Sequence, residues 1–70
     1  MDIQIRVKFG SFKQDVEKFA DRRYFVRILS KEEEPDAMDE LIGLLSKKLG
    51  VPVDGFELKQ DKGQDKVFVI

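Results

Sequence analysis

Apolar and polar residues alternate without a break from Asp2 to Phe9, with Ile3, Ile5, Val7 and Phe9 on one side and Gln4, Arg6 and Lys8 on the other. A period of two predicts a strand that buries one face. Gly10-Ser11 ends it. Arg23 to Ser30 predicts a second strand, with Tyr24, Val26 and Ile28 inward and Phe25, Arg27 and Leu29 outward. Its β-branched and aromatic content suits a sheet. The stretch between them is ambiguous: Phe12, Val16 and Phe19 fit one helical face, and an irregular or extended hairpin arm fits equally well. Ala20 to Arg22 reads as a turn.

The pattern changes period after Pro35. Ala37, Leu41, Leu44, Leu45 and Leu49 recur at spacings of three and four, Met38 and Ile42 widen the stripe, and Asp39, Glu40, Gly43, Lys47 and Lys48 fall mostly on the opposite face. This predicts an amphipathic helix. Asp36 is placed to cap it, and Asp39 and Glu40 complement the positive end of its dipole. Lys47 and Lys48 suit the last turn, Gly50 the left-handed position beyond it, and Pro52 forbids continuation. A lone helix of this length is marginal in water, so its leucines need a partner layer. The flanking strands supply it.

Asp54-Gly55 predicts a turn. A third strand follows from Phe56 to Gln60, with Phe56 and Leu58 inward and Glu57 and Lys59 outward. Asp61 to Gln64 is a hairpin connection with the glycine such turns need. Lys66 to Ile70 is a fourth strand, apolar on both faces, so its orientation stays open. The whole chain, residues 1–70, thus reads as a single α+β domain of β-β-α-β-β order, with one helix packed on a four-stranded sheet in two layers. A right-handed crossover makes the second and third strands parallel and favours the order 1-2-4-3. The alternative is a β-grasp-like order, 2-1-4-3, with the two terminal strands paired.

Composition narrows function mainly by exclusion. The chain has no cysteine and no histidine, so disulfides, thiolate zinc sites and the usual general base are absent. Ser11, Ser30 and Ser46 lack the His or Cys partner of an activated nucleophile, and the glycines are too scattered for a phosphate-cradling loop. The expectation is no enzyme and no cofactor, with an enzyme using lysine or carboxylate chemistry as the remote alternative. Net charge is −1, yet Met1–Lys31 holds eight basic and four acidic residues while Glu32–Glu40 holds six acidic and none basic. The acidic run lacks the spacing of an EF-hand, so no metal is expected. Abundant Lys and Glu without Asn or Thr would suit a thermophile. No apolar run approaches a membrane span and no signal peptide opens the chain, which gives a soluble protein with a cytoplasmic default.

Residues 5–10 (IRVKFG), 26–28 (VRI), 37–52 (AMDELIGLLSKKLGVP) and 66–70 (KVFVI) together resemble the YggU-like family of small uncharacterised proteins. Its members show a first strand ending in a Lys-Pro-Gly-like element and a Val-Arg-Val strand. A helix ending in a Lys-Lys-Leu-Gly-Val-Pro-like run and a Lys-Val-containing last strand follow. Departures are concentrated in polar motifs. KEEEPDAM keeps only Ala37 of a Pro-Pro-x-Asp-Gly-x-Ala-Asn stretch, QDKGQDK keeps only Lys66 of a Gly-x-x-Ser-Arg-x-Lys stretch, and Phe9 replaces the proline between Lys8 and Gly10. The resemblance implies a two-layer α+β fold and no particular reaction.

The candidate binding face is the outward side of the sheet: Arg6, Lys8, Arg27 and Lys59, with Phe25 among them and Lys66 in one of its two orientations. Basic side chains around an aromatic suit phosphates and a stacked base, but Glu57 shares the face and the net charge is negative, unlike most nucleic-acid binders. A protein or peptide partner, taken up at a sheet edge or on exposed phenylalanines, is therefore placed slightly ahead of single-stranded nucleic acid. Of the phenylalanines, Phe12 and Phe19 are expected to cap the open end of the core, and Phe25 and Phe68 are the ones whose exposure decides. No membrane partner is expected, and the chain reads as a monomer or weak homodimer.

Overall fold

A computed structural model describes residues 1–70. The helix, α1, runs from Ala37 to Leu49. Its end follows the sequence: Gly50 takes a left-handed φ of 73° and donates its N–H to Ser46 O at 2.9 Å. Its start does not. Asp36 is already helical in backbone and its side chain makes no capping bond. Instead a preceding turn winds into the helix, with Ala37 N–H donating to Glu34 O. Ala37, Leu41 and Leu45 are buried, while Leu44 and Leu49 are only half-buried at the edge of the stripe.

Five strands form one mixed sheet: β1 (Asp2–Lys8), β2 (Asp15–Ala20), β3 (Arg23–Arg27), β4 (Glu57–Lys62) and β5 (Asp65–Val69), in the order β2-β3-β1-β5-β4. The α+β class with one helix on one sheet is as expected; the four-stranded sheet and the order 1-2-4-3 are overturned. The cause is β2, which occupies the stretch where helical and extended readings were both open. It carries the chain back along the far edge, so β3 can insert beside β1 and run parallel to it. β1 becomes the centre, with β5 antiparallel on its other side. With β2 set aside, the four strands read from sequence stand in the alternative order 2-1-4-3. β4 runs parallel to β3, but β1 and β5 both lie between them.

Ile3, Ile5 and Val7 of β1, Tyr24 and Val26 of β3, and Ile28 beyond it form the core with α1 and Phe68. Phe68 is fully buried, and Phe56 meets it edge-on with ring centroids 6.1 Å apart. Two expectations fail at the periphery. Phe12 and Phe19 do not cap the core but stand 92% and 60% exposed. Leu58 shares the face of its partner Phe68 but is also exposed, because β4 is the edge strand of the sheet. A register shift between Leu58 and Gln60 breaks the strict alternation and turns Lys59 as well as Gln60 toward the outer face, where Lys59 reaches Asp2.

Candidate functional site

On the outer face the register sets Arg6 between Phe25 and Asp65, and Lys8 beside Arg27. These cations are mostly matched. Arg6 donates to both carboxylate oxygens of Asp65, at 3.0 and 3.4 Å. Arg27 Nη1 donates to Asp15 Oδ2 at 2.6 Å, and its guanidinium lies 4.8 Å over the Phe25 ring. Lys59 Nζ donates to Asp2 Oδ2 at 2.7 Å. The hydrogen bonds from Arg6 and Lys59 hold Asp65 and Asp2 below the ordinary carboxylate range, and Asp65 in turn raises Arg6. Five of the six candidate residues therefore do share this face, but only Lys8 offers a cation without a carboxylate partner.

Lys66 is the sixth, and its outward placement is corrected. It lies opposite Ile5 on β1, on the helix side, with its side chain 7% exposed. The reason is parity. Phe68 claims the core, and a residue two positions away on a strand must share its face.

Because β1, β3 and β4 run in one direction, the connections leaving them meet at one end of the sheet. Val7 N–H donates to Gln64 O, Gly10 N–H to Ser30 O and Ser11 N–H to Ile28 O, each at 2.8 Å. Here Lys66 Nζ donates to Asp61 Oδ1 at 2.7 Å and sits 5.8 Å from the centroid of the Phe9 ring. Asp61 also accepts the Gly63 N–H at 3.0 Å. The Lys66 hydrogen bond lowers the Asp61 carboxyl against the opposing effect of burial. Beside this pair opens a cavity of about 440 Å³, walled by Phe9, Met38 and Leu41 and rimmed by Glu32 and Glu34. Gly63, at φ 77°, suits the first position of the two-residue turn between β4 and β5. A Cβ on it would come 3.0 Å from Glu32 Oε2, so the acidic loop closes directly over the hairpin.

The same end is fastened by Glu40. Its carboxylate accepts from Leu29 N–H (2.7 Å), Ser30 N–H (3.1 Å), Ser30 Oγ (2.6 Å) and Gln14 Nε2 (2.8 Å). Burial pushes its pKa up, but the hydrogen bonds from Ser30, Gln14 and the Leu29 amide outweigh it and bring the value to about 2. Sequence reasoning took Glu40 only as a charge near the helix start. Its position beside Leu41, on the border of the apolar stripe, was the available signal that it could reach the preceding loop.

Glu40 and the bonds of Gly10 and Ser11 pin both ends of the loop that carries Phe12, whose ring stays exposed. Lys8, Lys13 and Lys31 surround this loop and make no ion pair. No three acidic side chains come together as metal ligands, and no helix is long and apolar enough to cross a membrane. Among known proteins the chain finds no match: no family model, no curated protein and no solved structure is similar to it.

Proposed function

We infer that this chain is a non-catalytic binding module on a YggU-like scaffold, and that it engages another protein through the loop end of the sheet. The exposure of Phe12 on a loop pinned at both ends carries the inference. A loop whose backbone is already fixed around an exposed aromatic loses little conformational freedom on association, which suits an interface anchor. The unpaired Lys8, Lys13 and Lys31 around it favour a partner pocket with an acidic rim. Affinity capture from an extract of the source cells tests this. Excess free protein should release the captured partner, and the Phe12→Ser variant should fail to do so. Equal release by both would refute it.

Single-stranded nucleic acid on the outer face stands second. Phosphates there would have to displace Asp15, Asp65 and Asp2 from cations they already neutralise. In a titration with short single-stranded RNA at low salt, the amide signals of Arg6, Phe25 and Arg27 should stay in place. Movement that fades steeply as salt rises would reverse the ranking.

A further inference from the structure

We propose that the cavity beside Lys66 is a binding site for a small zwitterion with an apolar side chain, of the free α-amino acid class. A lysine ammonium has three N–H donors, and Lys66 makes a single hydrogen bond, to Asp61, although its side chain is only 7% exposed. The remaining donors belong to a buried cation at the edge of a cavity of about 440 Å³, a volume ordinary for small-molecule sites. The lining also includes Glu32, Glu34 and Asp61, so carboxylates outnumber the lysine.

Charge decides what class fits. A simple anion would reach the Lys66 donors only by passing the Glu32 and Glu34 rim. A simple cation would suit the rim but meet the Lys66 ammonium at the floor. A molecule that carries a carboxylate and an ammonium side by side on one carbon can meet Lys66 and the flanking carboxylates at once. Its carboxylate takes the free Lys66 donors, its ammonium faces the rim, and an aliphatic side chain lies along Phe9, Met38 and Leu41. Glu32 closes over the hairpin turn at Gly63, so filling the site would be felt there first. This site is independent of the Phe12 surface, and its failure would leave the protein-binding reading standing.

The test compares L-leucine with N-acetyl-L-leucine, which lacks the ammonium, and L-leucine amide, which lacks the carboxylate. Binding is followed through the amide signals of Gly63 and Ala37. Leucine should shift them saturably, with each blocked analogue at least roughly tenfold weaker, as expected for losing one charge-assisted contact. Lys66→Met should abolish the response. Because that change touches a buried side chain, Glu32→Gln/Glu34→Gln on the exposed loop provides a second variant, expected to weaken leucine by about tenfold or more. The Phe12→Ser variant should bind leucine as the parent does. No saturable shift with leucine, or equal shifts with all three compounds, would overturn the proposal.

Discussion

On the outer face of the sheet, Arg6 and Arg27 each reach a carboxylate on the adjacent strand, and Lys59 reaches across β5 to Asp2 on β1. At the loop end, Lys13 and Lys31 reach none, and Lys66 is buried with donors to spare. The two regions draw on the same residue types. One has most of its candidate cations matched by carboxylates, with Lys8 at its margin left free, while the other is left open beside a cavity and an exposed ring. Density of basic residues is therefore a poor guide to a binding surface; what matters is whether each charge already has a partner.

Several substitutions probe this contrast, in order of expected effect. Leu45→Asp strikes the core shared by both regions. It buries an unpaired charge at a fully enclosed position, should cost more than about 4 kcal/mol, and should leave no cooperative melt by circular dichroism. Glu40→Ala strips four hydrogen bonds from a charged acceptor at the loop end and should lower stability by about 2–3 kcal/mol in urea unfolding. By contrast, Arg6→Ala and Lys59→Ala on the outer face break solvent-exposed pairs and should each leave the urea midpoint almost unmoved. Phe12→Ser removes a ring with almost no contacts and should shift stability least, within about 0.5 kcal/mol.

The pH dependence separates the regions further. Glu40 has a folded pKa of about 2, below its ordinary value of 4.5. Its contribution is fully present above pH 4.5 and is lost as pH falls toward 2. Parent and Glu40→Gln should therefore differ most in melting temperature near neutral pH and converge in acid. A constant gap from pH 6 to pH 2.5 would show that the carboxylate is not the fastening group.

The helix, its glycine stop, the first strand and the inward set Tyr24, Val26 and Ile28 were legible because burial on one face imposes a period that survives in one sequence. β2 was not, since only Val16 of DVEKFA joins the core margin while the rest lies along an exposed edge. Missing β2 cost the strand order, because β3 cannot sit parallel to β1 without it. The side taken by Lys66 stays open in the sequence because KVFVI is apolar in both phases, and nothing local says that Phe68 outcompetes its neighbours for the core. Five of the six candidate residues were placed on the right face. The carboxylate partners of Arg6, Arg27 and Lys59 come from other strands, so their pairing depends on strand order and register that alternation alone does not set.

The contrast between the two regions is tested most directly by placing the same photo-crosslinking amino acid at position 12 and at position 4, an exposed site on the outer face, and irradiating each protein in source-cell extract. A discrete protein adduct from position 12, competed away by unlabelled parent and absent from position 4, is the predicted result. Adducts from position 4 alone, or to nucleic acid there, would contradict it.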